Sequence, residues 1–393
     1  MPEHALPSRD FNWYWRIPIA VFIIFCVCEW LLWIFTPNAF FYPRGRVAPN
    51  LHYESTIHGD LSTGNIFVTP QVRHFTYISD GYSARNDTTV RRADAILLGQ
   101  SFSGGGGSSQ EFMPAHQLSE LTGQKVVNSA ERQVIFPGYD QFQTAAFILK
   151  FNKPIETRVL IFDVMDNFLV DALSGKTIAE KITDVIDHAQ DYPALTPAQR
   201  FAGFKKYVKD YSPQAIVARK LKTLVKSGFL EVLYKAKIFK RASRTLDYID
   251  HEGKVYAVPK MTEALANYPQ STETLEQMVE ALDLLNQFAK KKGIQFLVTI
   301  TPSKMIAYNR YVETPYKIKG YGPGQIFYDR LTQRGVQVVM YHKEMMEAVD
   351  AEMTRGGPFV YWHDDAHWSP YGISIGMKKV AEKLRPLMKD SAK

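Results

Sequence analysis

The chain has 393 residues, of which 46% are hydrophobic and 22% are charged, and it carries a formal net charge of +7. This length and composition exclude disordered and fibrous proteins and allow one large domain with additions, or two domains. No nucleic-acid-binding module is recognisable, so the positive charge does not predict a nucleic-acid partner.

An apolar run near the amino terminus predicts a membrane span. Residues 17–35, IPIAVFIIFCVCEWLLWIF, are long enough to cross about 30 Å of hydrocarbon as a helix. The run is longer than a signal-peptide core and no small-x-small cleavage site follows it, so we predict a retained anchor over 1–40 and a body over 41–393. Two arginines lie on each side of the run, so charge does not orient it. Both cysteines lie inside it, which leaves the body without a thiol for a disulfide or a thiolate zinc site.

Five short apolar runs in the body predict a buried parallel sheet. They are residues 95–98, 125–128, 157–163, 295–301 and 336–341. Their apolar residues are continuous, as in strands that are buried on both faces. Helical patterns lie between them, including residues 109–122, 140–150 and 272–292. Alternating strands and helices predict an α/β fold with a doubly wound sheet.

Residues 185–270 interrupt this alternation. Thr196, Pro197 and Gln199 form the pattern of a helix start with a capping box, so we predict a helical insertion here. Within it, residues 205–244 carry twelve Lys or Arg against two acidic residues. Basic amphipathic helices of this kind suit an anionic membrane surface or an acidic partner, and an ordinary solvated face is the alternative.

The segment GQSFSGGGG, residues 99–107, follows the first strand of the predicted sheet. It has neither the lysine of a phosphate loop nor the spacing of a dinucleotide site. It is close to the nucleophile elbow GxSxG, with Ser103 in place of the last glycine. We therefore predict Ser101 as a nucleophile, with the amides of Ser101 and of the glycine run, including Gly104, as oxyanion donors. A structural serine in a glycine-rich turn is the alternative.

A histidine follows the last strand of the predicted sheet. Ser369 can cap the terminal helix with Pro370 in its first turn, so His367 lies in the loop before that helix. This places an imidazole at the same sheet edge as the serine, where it can act as a base. Asp365 or Asp364 can accept the Nδ1 proton and orient the ring.

The same loop has two other interpretations. His363 and His367 have the i,i+4 spacing of a zinc pair, but the glutamate of HExxH is missing and Pro370 interrupts the helix that such a pair requires. A buried structural histidine is the second alternative. We predict no metal and no cofactor.

Four blocks resemble the SGNH-hydrolase-like family of exported polysaccharide O-acetyltransferases, over about residues 90–385. They are ILLGQSFS, RVLIFDVMDNFL, VTITPSKMIAY and DDAHW. The resemblance implies a flavodoxin-like, SGNH-hydrolase-like fold. It also implies Ser101 as nucleophile, His367 as base and Asp365 as acid. The wider superfamily's spacing selects Asp364 as the acid instead.

The resemblance also implies substrate-binding positions, with departures. Where the family offers a glycine oxyanion donor, this chain reads VVNSAERQVIF, which contains Asn128 and Arg132. Within the block VTITPSKMIAY we expect Lys304 and Tyr308 to line the acceptor groove, and a structural lysine at the strand end is the alternative. Gln100 replaces the usual Asp or Thr before the nucleophile.

Finally, the resemblance implies a setting in the cell. Such proteins are single-pass proteins of the bacterial inner membrane with a periplasmic catalytic domain. They act on an exopolysaccharide and work with a multi-span membrane-bound O-acyltransferase that supplies the acyl group. The same residues also fit a carbohydrate esterase or deacetylase, or a non-catalytic scaffold subunit of an export complex.

Overall fold

The computed structural model describes the chain in separate ranges. They are residues 16–27, 52–57, 61, 73–78, 92–105, 108–128, 140–152, 155–166, 177–189, 246–261 and 272–390. The chain divides into two compact units, 1–46 with 195–217, and 47–194 with 218–393. In the first unit, residues 16–27 form a helix, α1.

The described helices include none that is both long and apolar enough to cross a membrane. Residues 28–35 of the predicted span lie outside the described part of the chain, as does the basic segment 205–244.

The second unit contains nine strands among its described residues. They are β1 (His52–Ile57), β2 (Arg73–Ile78), β3 (Arg92–Leu98), β4 (Val126–Asn128), β5 (Glu156–Met165), β6 (Leu246–His251), β7 (Lys254–Pro259), β8 (Gln295–Thr301) and β9 (Gln337–Met340). Its described helices are η1 (Gln110–Phe112), α2 (Pro114–Thr122), α3 (Gln141–Phe151), α4 (Ile178–His188), α5 (Thr272–Lys291), α6 (Lys304–Ala307), η2 (Asn309–Tyr311), α7 (Pro323–Gln333), α8 (His342–Arg355) and α9 (Pro370–Asp390).

Five strands form a parallel sheet in the order β4-β3-β5-β8-β9. Counted along the sheet's own strands this is 2-1-3-4-5, the flavodoxin-like order. The register aligns Ile96, Leu160 and Phe296 across its three central strands. Side chains on both faces of β5 are buried, because α3, α4 and α5 pack as one group of helices and α2, α8 and α9 as another. The predicted α/β fold with a parallel sheet is confirmed.

The predicted helix boundaries are close to the observed ones. Asp140 and Gln143 form a reciprocal capping box at the start of α3. Gly123 and Gly293 adopt the left-handed conformation, with φ of 69° at both, directly after α2 and α5. Ser369 caps α9, since its Oγ accepts the N–H of Gly372 at 3.3 Å. The pattern at 109–122 differs in detail, because η1 precedes α2.

The prediction of a helical insertion over 185–270 is wrong at its end. Strands β6 and β7 pair there as an antiparallel hairpin. The two-residue loop consists of Glu252 and Gly253, which have φ of 50° and 72°. Two successive positive φ values characterise the type I′ turn that matches the twist of a hairpin. The predicted helix start at Thr196 lies outside the described residues.

Candidate active site

The turn after β3 presents Ser101 at the carboxyl edge of the sheet. The N–H of Gly104 donates to the carbonyl of Gln100 at 3.1 Å, and the N–H of Gly105 donates to that of Phe102 at 3.0 Å. Both glycine amides therefore close the turn, which corrects the prediction that Gly104 supplies an oxyanion donor. The N–H of Ser101 has no hydrogen bond within the described part of the chain, and the residue is exposed.

The buried carboxyl group of Asp163 holds this turn through a hydrogen bond to Ser103. Ser103 Oγ donates to Asp163 Oδ2 at 2.6 Å, and Thr299 and Thr301 donate to Oδ1 at 2.7 and 2.6 Å. Burial raises the pKa of Asp163, although the three hydroxyl groups oppose this shift. A Cβ atom on Gly99 would lie 1.9 Å from Ser103 Oγ. Ser103 can keep its hydrogen bond to Asp163 because residue 99, two positions before the nucleophile, is a glycine.

The residues between β9 and α9 include a small closed loop, residues 362–367. Tyr361 and Trp368 form an isolated antiparallel bridge at its base. Inside the bridge, the N–H of Trp362 donates to the carbonyl of His367 at 3.1 Å. The indole of Trp368 donates to the carbonyl of Phe102 at 3.1 Å, which ties this loop to the turn after β3.

Ser101, His367 and Asp365 form a continuous hydrogen-bonded series. His367 Nε2 lies 2.8 Å from Ser101 Oγ, and His367 Nδ1 lies 2.6 Å from Asp365 Oδ1. The ring of His367 stacks on Phe102 with centroids 4.7 Å apart. The side chain of His367 is 16% exposed and that of Asp365 is 4% exposed. An imidazole that meets solvent on one side and a buried carboxylate on the other can move a proton to and from the serine.

The two aspartates of the loop have different surroundings in the structure, and so do its two histidines. Asp365 contacts the imidazole of His367, whereas Asp364 is fully buried. The ring of His363 lies 4.3 Å from that of Tyr256, and burial lowers the pKa of His363 to about 4. Within the described ranges, no cluster of three or more His, Cys, Asp or Glu residues could hold a metal ion.

Lys304 supports the loop from inside the protein. It is 1% exposed, and its Nζ donates to the carbonyls of Trp362, His363 and Asp365 at 2.6, 3.0 and 3.0 Å. The prediction that it lines an acceptor groove is not supported by this position. The contacts of Lys304 agree with the alternative, a structural lysine near the strand end.

The other predicted binding residues, Tyr308, Asn128 and Arg132, occupy different positions. Tyr308 is fully buried, its hydroxyl donates to Glu352 Oε2 at 2.5 Å, and burial raises its pKa well above the ordinary value. It therefore does not line a surface groove. Asn128 ends β4 beside Leu97 of β3 and is 2% exposed, so it lies at the sheet edge that carries the nucleophile turn. Arg132 lies outside the described residues.

One residue of this site, Arg73, was not predicted from the sequence. Its Nη2 donates to Asp365 Oδ2 at 2.5 Å, and the two side chains are 3% and 4% exposed. Its guanidinium also lies 4.8 Å from the ring centroid of Trp362. The partners are 292 residues apart, and no motif surrounds Arg73, so no pattern in the sequence could have found the contact.

Residues 261–393, about one third of the chain, match a protein-family model described as the SGNH hydrolase-like domain of the acetyltransferase AlgX. No curated protein and no solved structure gave a significant match. The matched part contains Asp365 and His367, whereas Ser101 lies ahead of it. The match confirms the resemblance of the chain to the SGNH hydrolase-like acetyltransferases and supports an enzyme of the acetyltransferase or esterase type.

Proposed function

We propose that this protein transfers acetyl groups to hydroxyls of an exported polysaccharide through an acyl ester on Ser101. The observation that carries the proposal is the hydrogen-bonded series from Ser101 through His367 to Asp365. It lies at the sheet edge where doubly wound folds bind their ligands. Two of its three members belong to the part of the chain that matches the acetyltransferase domain.

In the first half-reaction, Ser101 Oγ attacks the acyl carbonyl while His367 Nε2 takes the hydroxyl proton. Asp365 accepts the Nδ1–H bond and stabilises the imidazolium that forms. The tetrahedral intermediate collapses as His367 returns the proton to the leaving group. The products of this step are an acyl-serine and the protonated leaving group.

In the second half-reaction, a sugar hydroxyl enters the same site. His367 Nε2 removes its proton, the sugar oxygen attacks the ester carbon of acyl-Ser101, and the proton returns to the serine oxygen. If water takes the place of the sugar, the same steps hydrolyse the ester. The acceptor therefore decides between transferase and esterase activity.

The negative oxygen of each tetrahedral intermediate needs a hydrogen-bond donor. The N–H of Ser101 suits this role because it has no hydrogen bond within the described residues. The amides of Gly104 and Gly105 do not, since they close the turn. Asn128, at the end of the neighbouring strand, is our candidate for a second donor.

The cellular setting belongs to the proposal as well. The apolar run 17–35 supports an anchor in the bacterial inner membrane, and the family resemblance supports a periplasmic body. In this setting a multi-span membrane-bound O-acyltransferase brings the acyl group across the membrane and delivers it to Ser101.

A donor and acceptor assay tests the proposal. The purified protein is incubated with an aryl acetate, with and without an oligosaccharide, and both free acetate and acetylated sugar are measured. We expect acetylated sugar from the wild type and none from Ser101→Ala. Ser108→Ala, a control directly after the glycine-rich segment, should keep the activity. Free acetate as the sole product would identify an esterase, and equal activity of Ser101→Ala and wild type would refute the serine mechanism.

A further inference from the structure

The carboxylate of Asp365 is engaged at both of its oxygens. Oδ1 lies 2.6 Å from Nδ1 of His367 and also accepts the backbone N–H of that residue at 3.0 Å. Oδ2 accepts Nη2 of Arg73 at 2.5 Å. The orientation of the carboxylate, and with it the direction of the imidazole, is therefore fixed from two sides.

Arg73 contacts the loop at a second point. Its guanidinium lies over the ring of Trp362, the first residue of the loop 362–367. Trp362 is itself hydrogen-bonded to the carbonyl of His367. One arginine thus contacts the start of the loop and the carboxylate near its end. A planar guanidinium can stack on an aromatic ring and bind a carboxylate at the same time, which a lysine ammonium cannot do equally well.

The arginine comes from outside the parallel sheet. Arg73 is the first residue of β2, which pairs only with β1 among the described strands. Leu61, between these two strands, donates its backbone N–H to the carbonyl of Asp364 at 3.0 Å. Leu61 and Arg73 therefore contact two neighbouring residues of the loop, Asp364 and Asp365. Both Leu61 and Arg73 lie outside the part of the chain that matches the family model.

We propose that Arg73 is a positioning residue for acyl transfer, which holds the Asp365 carboxylate ionised and oriented so that His367 directs Nε2 at Ser101. The inference rests on the proposed function, and it extends the catalytic machinery to the amino-terminal β1–β2 segment. A carboxylate that is 4% exposed is poorly solvated, so a cationic partner strongly favours its charged form.

Other charged groups surround this pair. Lys304 of α6 donates to the backbone carbonyl of Asp365, and His363 and Asp364 occupy the same loop. Asp163 of β5 lies behind the nucleophile turn, where Ser103 binds it. None of these groups is changed by a substitution of Arg73, so its effect on the pair can be measured separately.

The test uses three variants of the full chain. Arg73→Gln removes the charge, Arg73→Lys keeps the charge but not the planar group, and Arg158→Gln is the matched control. Arg158 also pairs with an aspartate, Asp94, but its partner lies near the start of β3, at the opposite edge of the sheet from Ser101.

The first readout is the titration of the His367 imidazole, followed by NMR without any substrate. Loss of the arginine charge leaves the Asp365–His367 pair more negative, so the pair should hold its proton to higher pH in Arg73→Gln. Arg73→Lys should restore the wild-type midpoint, and Arg158→Gln should not move it. An unchanged midpoint in a folded Arg73→Gln protein overturns the proposal. If Arg73→Gln does not fold, Arg73→Lys decides instead. A wild-type midpoint together with a wild-type rate of acylation in Arg73→Lys would indicate a merely structural role for Arg73 and would overturn the proposal.

The second readout is the rate of acylation of Ser101 by an aryl acetate across pH. We expect Arg73→Gln to lower this rate on the order of 10²-fold and Arg73→Lys about tenfold, because the base is misdirected. The acid limb of the pH profile should move upward in Arg73→Gln alone. A shifted NMR titration in a protein whose wild type never acylates Ser101 would refute the proposed function while the contact between Arg73 and the pair stands.

Discussion

Two clusters at the carboxyl edge of the sheet contain the same three residue types. In one, Ser101, His367 and Asp365 form a hydrogen-bonded series, and the imidazole is 16% exposed. In the other, Ser303 follows β8, Asp166 follows β5 and His342 follows β9.

The second cluster is connected differently. Asp166 Oδ1 accepts the backbone N–H of Ser303 at 2.9 Å, and Oδ2 lies 2.9 Å from Nε2 of His342. The serine hydroxyl and Nδ1 of His342 have no partner within the described residues, and Asp166 and His342 are fully buried. Residue type and strand-end position are therefore not sufficient to identify a catalytic site. The order of the hydrogen bonds and access to solvent separate a candidate active site from a structural cluster.

Removal of each serine hydroxyl should separate the two clusters by the largest effect. Ser101→Ala should lower acyl transfer by about 10³-fold or more, because the nucleophile is lost. Ser303→Ala, its matched control, should retain the wild-type rate, since that hydroxyl contacts no base. Initial rates with an aryl acetate measure both variants. A large loss of rate in a folded Ser303→Ala protein would contradict the division into two clusters.

The buried cluster should instead affect stability. Asp166→Asn weakens its contacts with His342 and with the backbone of Ser303, in a site without water access. We expect the free energy of unfolding to fall by about 3 kcal/mol. Urea denaturation measures this change, while the rate of the folded enzyme should remain near that of the wild type. A variant as stable as the wild type would show that the pair contributes nothing to folding.

The contrast between exposed and buried groups also occurs within one loop, between His367 and His363. Burial, followed by the positive charges of Lys304 and Lys254, lowers the pKa of His363 from 6.5 to about 4. The unfolded chain binds this proton at higher pH than the native state does. Stability should therefore fall as the pH drops from about 6.5 to about 4, by about 3 kcal/mol at most.

His363→Gln tests this pH dependence. The variant should lose less stability than the wild type between pH 7 and pH 4, as measured by urea denaturation at several pH values. Parallel stability curves for the two proteins would mean that His363 is not held neutral by its surroundings.

The smallest expected effect concerns the turn that presents the nucleophile. In Gly99→Ala the new Cβ atom would meet Ser103 Oγ, which must then move away from Asp163. We expect a loss of about 2 kcal/mol in stability and slower acylation of Ser101. Gly123→Ala is the control, because a Cβ there meets open space and only its φ of 69° is strained. Equal rates in the two variants would exclude a role for Gly99 in positioning the nucleophile.

The sequence was sufficient for the sheet and for two members of the site. Continuous apolar runs predicted all five parallel strands, and strand-end positions predicted that Ser101 and His367 meet at one edge. The hairpin at 246–259 was missed because it lies in a stretch that began with a helical capping pattern. Its signal was the Glu252–Gly253 pair between two short runs that contain aromatic and β-branched residues.

Residue spacing left Asp364 and Asp365 both open as the acid, and the family resemblance gave Asp365, whose carboxylate contacts the imidazole of His367. Other features depend on three-dimensional packing alone. The roles of Lys304 and Arg73 follow from contacts across 58 to 61 and 292 residues, respectively. Local patterns report periodicity and turn chemistry, and they do not report which distant charge meets a buried carboxylate.

The most direct test of the account is to locate the acyl group. The protein is mixed with an aryl acetate, quenched at low pH within the first turnover, digested and analysed by peptide mass spectrometry. The account predicts one acetyl group on the peptide that contains Ser101, and none on this peptide in His367→Ala or on the peptide that contains Ser303. Acetylation at any other serine, or turnover without an acylated Ser101, would contradict it.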